Sequence, residues 1–104
     1  MKNELEMLKA RMVEDFNFFI DNERMRKEYA NGIEFRAGRK YLKVLLNRSV
    51  WGFIVLDDKD PKFRVGDILK AASYNAPARN QARANVFEPE TFANVNWTGP
   101  GYLR

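Results

Sequence analysis

Four residues in the second half of the chain have the types and spacing for anion chemistry. Lys70, Tyr74, Arg79 and Arg83 set three cationic donors around an aromatic ring. Between them, Asn75-Ala76-Pro77 has the form of a helix start, with Asn75 near the cap and Pro77 in the first turn. A helix over 77–84 would bring Arg79 and Arg83, four apart, onto one face. Its free N–H groups would add to the pull on an anion. The plainer reading is that both arginines are solvated helix residues and Tyr74 is core. A second basic group lies upstream, at Arg36, Arg39, Lys40, Lys43 and Arg48. On a flat hairpin these would face a phosphate backbone. Equally, cations along a sheet edge resist strand-to-strand aggregation.

Other chemistry is scarce. There is no His and no Cys, which removes disulfides, thiol nucleophiles, thiolate or imidazole metal sites and any His-based general base. Asp57, Asp58 and Asp60 are carboxylates in one short stretch, but Lys59-Asp60-Pro61 breaks the spacing a calcium loop needs, so they read as a turn. Glu88 and Glu90 flank a proline on a connector and read as solvated rather than as an acid–base pair. Ser73 lies three residues after Lys70, a Ser–Lys spacing that arises by chance. Gly99-Pro100-Gly101 lacks the strand–loop–helix setting of a phosphate loop. The expectation is a protein that is not an enzyme and takes no metal and no cofactor.

The elements that would position these residues follow from periodicity. Leu5, Leu8, Met12, Phe16, Phe19 and Ile20 recur at steps of three and four, an apolar stripe on a helix. Asp21-Asn22 is the expected break, since an unbroken helix to Ala30 would run about 42 Å at ~1.5 Å per residue. Asn31-Gly32 ends the helical block. Lys40-Tyr41-Leu42-Lys43-Val44-Leu45-Leu46 and Val50-Trp51-Gly52-Phe53-Ile54-Val55-Leu56 read as two strands of a hairpin, joined by a loop of three to four residues around Asn47-Arg48-Ser49. Phe63-Arg64-Val65 reads as a third strand, and Gly66-Asp67 opens either its continuation or a short helix. Both hairpin faces are apolar, so both need covering. The N-terminal helix is expected on one face, and the C-terminal block or a partner subunit on the other. Trp51, Phe53 and Tyr41 read as core rather than as a base-stacking platform. Val95, Trp97 and Tyr102 suggest a last extended segment in an otherwise irregular tail.

The strings Gly38-Arg39-Lys40-Tyr41-Leu42-Lys43-Val44, Ser49-Val50-Trp51-Gly52-Phe53-Ile54 and Gly66-Asp67-Ile68-Leu69-Lys70-Ala71-Ala72-Ser73-Tyr74-Asn75-Ala76-Pro77-Ala78, with Arg83-Ala84-Asn85 beyond, resemble a small uncharacterised family of tailed bacteriophages. The resemblance covers residues 38–87, about half the chain. Tyr74 stands where that family usually has Trp, and Ala84 where Gly is common. The resemblance implies a viral origin and a compact core, but no mechanism. Beside it, residues 1–31 look like a helical extension and 88–104 like a tail, all within a single domain.

Composition sets the bounds. The chain has 104 residues, 45% apolar and 31% charged, ordinary for one soluble globular unit with one core. The net charge is +4, modest beside dedicated nucleic-acid binders. It is concentrated in 32–56, which holds five basic residues against one acidic; residues 1–31 hold six against seven. Met1-Lys2-Asn3-Glu4-Leu5-Glu6 is charged and lacks an apolar signal core. The longest apolar run, Phe53-Ile54-Val55-Leu56, is far short of the ~20 residues of a membrane helix. The expected location is the cytoplasm, that of the host for a viral protein, with no membrane contact.

The reading is therefore an α+β fold: an N-terminal helical block packed on a three-stranded antiparallel meander, followed by a short Ala-rich helix. Two functions fit. One is a small non-catalytic protein that binds an anionic partner, nucleic acid first among them, through Arg39, Lys40, Lys43, Lys70, Tyr74, Arg79 and Arg83. The other is a contact with a host protein or a second copy through Phe16, Phe18 and Phe19. Phe18 lies about 200° from Phe16 on the helix, so one face cannot bury both. Either a second surface or a folded-back Trp97 or Tyr102 must cover it.

Overall fold

The chain is described here over residues 1–101 of a computed structural model. Helix α1, Lys2–Phe19, has no Gly or Pro, and Leu8, Met12 and Phe16, at steps of four, form its buried line. Ile20 leaves the helix in extended backbone, and Asn22 then caps α2, Glu23–Asn31, by accepting the Met25 N–H at 3.0 Å. The break falls where Asp21-Asn22 predicts it. Arg26 reaches back across this corner and donates to the carbonyls of Ile20 and Asn17, at 2.6 Å each. Those are carbonyls a helix end leaves without partners.

A five-stranded antiparallel sheet follows, giving an α+β fold. Its strands are β1 (Ile33–Ala37), β2 (Tyr41–Leu46), β3 (Ser49–Val55), β4 (Asp67–Leu69) and, after a small hairpin of β5 (Ala71–Ser73) and β6 (Ala76–Pro77), β7 (Ala84–Asn85). The order is β1-β2-β3-β4-β7. The meander is real, but its first strand is β1, outside the segments expected as strands. Ile33-Glu34-Phe35-Arg36 alternates apolar with charged, as an edge strand with one buried face should. The loop between β2 and β3 is shorter than expected, two residues. Asn47 and Arg48 both take positive φ, 49° and 72°, as a tight hairpin turn requires. Phe63-Arg64-Val65 is not a strand. The Asp67 N–H bonds to the Arg64 carbonyl at 3.0 Å around Val65-Gly66, and the strand begins at Asp67.

Residues 77–84 form no helix, which corrects the expected Ala-rich element. The sheet edge takes them instead. Ala84 pairs with Ile68, the Arg83 N–H bonds to the Ile68 carbonyl and the Ala78 N–H to the Lys70 carbonyl. Lys62 Nζ donates to the carbonyls of Arg79 and Asn80 at 2.7 and 2.8 Å. An eight-residue helix is marginal alone, because its nucleation cost is spread over few bonds.

A bulge in β3 puts Trp51 and Phe53 on opposite faces, because Val44 pairs with Gly52 but Leu45 with Val50. Trp51 joins Val44, Ile54 and Ile68 in the main core with Leu8, Met12, Phe16 and Tyr29 of the helices. Phe53, Val55, Phe63 and Leu69 form a second, smaller core on the other face, with Tyr41, Ala71 and Ala82 at its margin. Both faces are thus covered by this chain alone. The tail is ordered as far as it is described. A 3-10 helix, Pro89–Asn94, and a hairpin of β8 (Val95–Asn96) and β9 (Gly99–Pro100) close the main core with Phe92 and Val95.

Candidate nucleic-acid interface

The anion site expected from Lys70, Tyr74, Arg79 and Arg83 is not assembled. Arg83 is 7% exposed, and its guanidinium is engaged inward. It donates to the Gln81 carbonyl at 3.1 Å, the Gly101 carbonyl at 2.8 Å and Asn80 Oδ1 at 3.1 Å. It clamps the Asn80-Gln81 loop to the tail at Gly101. Arg79 pairs with Asp60 at 2.9 Å, hydrogen-bonds the Tyr41 hydroxyl and lies 4.9 Å over the Phe63 ring. The hydrogen bond to Asp60 is the main cause that raises the Arg79 pKa above its ordinary value. Lys70 is half-buried and faces the Pro100 carbonyl at 3.4 Å. With no helix at 77–84 there is also no helix N-terminus to help.

What does assemble is a different group around the same tyrosine. Tyr74 and Asn75 form the tip of the β5–β6 hairpin, which brings them to the β1–β2 pair. Lys43 Nζ lies 4.0 Å above the Tyr74 ring and donates to Asn75 Oδ1 at 3.1 Å. Directly across the strands from Lys43 stands Arg36. Arg36 donates to Glu34 Oε2 at 2.8 and 3.2 Å. Its pKa is raised first by that hydrogen bond and the Glu34 charge, then by the phenol of Tyr74. The Tyr74 ring thus lies under Lys43, whose cross-strand neighbour is Arg36. Arg39 and Lys40 are exposed in the turn that joins the same two strands. The patch holds four cations against one carboxylate, beside an aromatic ring that is 48% exposed. Arg48 lies at the far end of β2, roughly 17 Å away at ~3.3 Å per residue, and does not join it.

Arg36 and Asn75 belong to this group, and spacing alone does not pair them with Tyr74. The signal that would find Arg36 is the register of β1 on β2, which a reader must first recognise as a strand pair. The acidic turn holds no gathered carboxylates. Asp57 Oδ1 accepts the Lys59 N–H, and Asp60 Oδ1 accepts the N–H groups of Lys62 and Phe63, all at 2.9 Å. Among the described residues no three acidic side chains are grouped to hold a metal ion, and no helix is long and apolar enough to cross a membrane.

The second predicted surface also rearranges. Phe16 is not available to a partner. It stacks on Tyr29 with ring centres 4.3 Å apart, and Trp97 meets it edge-on at 5.2 Å. Phe19 was expected beside it in the core but is 63% exposed, and Phe18 is 81% exposed. The helix ends at Phe19, and at ~100° per residue Phe19 stands some 60° to one side of Phe16. Ile20 packs at the core margin instead. The two exposed rings touch each other edge-to-face at 5.1 Å. Trp97 covers Phe16, not Phe18; Tyr102 lies outside the described residues.

Helices, sheet and tail all fall within one stretch, residues 2–103, that matches a family profile. The chain belongs to the DUF7717 family. This is a family of unknown function, and the DUF7717 match takes in α1 and α2 as well as the sheet that carries the basic patch. Comparison with curated proteins and with solved structures finds no match.

Proposed function

We propose that this DUF7717 protein is a small, non-catalytic bacteriophage accessory protein that binds nucleic acid, acting in the host cytoplasm. The observation that supports this reading is the cross-strand pair Arg36 and Lys43. Like charges placed directly opposite in a strand pair work against the sheet. Here the pair is backed by Arg39 and Lys40 in the adjoining turn, offset by Glu34 alone, and set beside a half-exposed tyrosine. An anionic partner resolves that repulsion. The viral assignment rests on the sequence resemblance over 38–87. The test is a binding titration against a salt series. Four cations on phosphates give a log K against log salt slope of about −3, since each contact contributes roughly −0.7 to −0.9. Lys40→Glu with Lys43→Glu removes the binding. It leaves the fold intact, because a glutamate at 43 faces Arg36 across the strands. Binding that ignores salt and this double change would sink the proposal.

A second reading is carried by a separate observation, the exposed Phe18–Phe19 pair. We propose that it contacts a second copy of the chain. The helical block around it carries nearly equal numbers of acidic and basic side chains, which suits self-complementary packing better than a strongly charged partner.

A further inference from the structure

We infer that the nucleic acid bound at the Arg36–Lys43 patch is single-stranded, and that an unpaired base stacks on the ring of Tyr74. This rests on the nucleic-acid reading and narrows its ligand class. Proteins that hold single strands combine cations along the backbone with aromatic rings for the bases. The aromatic residues of the central strand cannot serve, because Trp51 and Phe53 are 3% and 2% exposed in opposite cores. Tyr74 is the ring that the fold leaves open beside the cations, at 48% exposure. It is also held in place. Lys43 lies 4.0 Å from the ring centre and Asn75 anchors that ammonium at 3.1 Å, with Arg36 directly across the strands from Lys43. A ring fixed this way loses little freedom on binding. The ammonium on one ring face places a phosphate-binding charge within reach of the stacked base's own backbone. In a duplex each base is already stacked between neighbours, so this ring has nothing to receive. An unpaired base offers its face.

The experiment is fluorescence anisotropy at low salt with labelled oligo(dT), oligo(U) and a mixed-sequence duplex, each of roughly twelve units, a length within single-strand site sizes. Both single strands are expected to bind about tenfold or more tightly than the duplex. The dT and U arms separate DNA from RNA as the source of the unpaired base. Tyr74→Ala is expected to lower single-strand affinity by on the order of tenfold and leave duplex affinity within about twofold, while Tyr74→Phe keeps the stacking face and the affinity. Tyr74→Leu keeps apolar bulk under Lys43 without an aromatic face, so its loss should match that of Tyr74→Ala if the ring itself is used. Equal binding of duplex and single strands, or full single-strand affinity in Tyr74→Ala, overturns the stacking inference. In that case loss of binding on Lys40→Glu with Lys43→Glu still supports the phosphate reading. No binding to any of the three nucleic acids overturns both.

Discussion

Asp60 shows how a single side chain decides which cations are available. Its carboxylate accepts from Arg79 and from the N–H groups of Lys62 and Phe63, all at 2.9 Å. Those bonds, Arg79 first, hold its pKa well below the usual carboxylate range. A depressed carboxylate adds stability that is fully present above its unfolded pKa, about 3.9, and is lost as pH falls toward the folded value. Urea unfolding should therefore show stability dropping as pH is lowered from about 4 toward 2. The drop should be shallower in Asp60→Asn, which holds no charge to lose. A variant whose acid profile matches the wild type would show that Asp60 is not a titrating anchor. In the sequence Asp60 was legible as a turn residue. That it also takes Arg79 out of the anion site was not, because spacing shows where charges are and not which partners already hold them. Arg83 teaches the same point. Four residues from Arg79 it looks like a surface cation, yet three inward hydrogen bonds leave it buried. Lys43 and Tyr74 lie 31 residues apart and meet only through the register of two hairpins.

At the scale of elements, the strongly periodic pieces were legible and the weakly periodic ones were not. The helical stripe, the Asp21-Asn22 break and the β2–β3 hairpin are local patterns, and the fold uses them. Residues 77–84 failed because the alanine content and Pro77 speak for a helix locally, while the open edge of β4 and the ammonium of Lys62 supply its backbone partners elsewhere. Tertiary partners override propensity of this size. Strand β1 was missed although Ile33-Glu34-Phe35-Arg36 alternates, because it follows Gly32 so closely that it reads as the frayed end of the helical block. The turn into β4 gives the prediction for this scale. Gly66 has φ of +93°, as the third position of a turn closed by the Arg64–Asp67 bond requires. A Cβ there would also lie 2.5 Å from Phe87 Cδ2. Phe87 is half-exposed and can swing aside, but the buried Asn85 Oδ1, 3.0 Å from that Cβ, is held by the Phe87 N–H, so crowding adds to the backbone term. Gly66→Ala should cost about 2 kcal/mol in urea unfolding. A change under about 0.5 kcal/mol would mean that the turn relaxes without strain.

At the scale of the whole molecule, the helices and the tail are bound to each other around one core. The Tyr29 hydroxyl donates to the Trp97 carbonyl at 2.8 Å, the Trp97 N–H to Asp15 at 2.8 Å, and Arg11 to the Phe92 carbonyl at 3.2 Å. Trp51 Nε1 donates to the Asn96 carbonyl at 2.9 Å from the sheet side. With the core closed this way, the chain does not need a partner to cover its sheet. Phe18 and Phe19 then stand apart, as apolar surface that the fold has no use for. Together they expose on the order of 200–350 Å², given 150–250 Å² for a fully exposed aromatic side chain. A stable interface takes roughly 800 Å² from each partner. The pair is therefore the centre of a weak contact rather than of a permanent dimer. Sedimentation velocity should find a monomer at low micromolar concentration and reversible dimers as concentration rises toward the millimolar range. Phe18→Ser with Phe19→Ser should hold the protein monomeric throughout, and its unfolding midpoint should barely move, since neither ring is in a core. The dimerisation should also change little with salt, unlike binding at the basic patch, because it buries apolar rings and neutralises no phosphates. A wild-type protein that stays monomeric at the highest concentration would remove the self-contact. Dimers that persist in the double variant would place that contact elsewhere on the molecule.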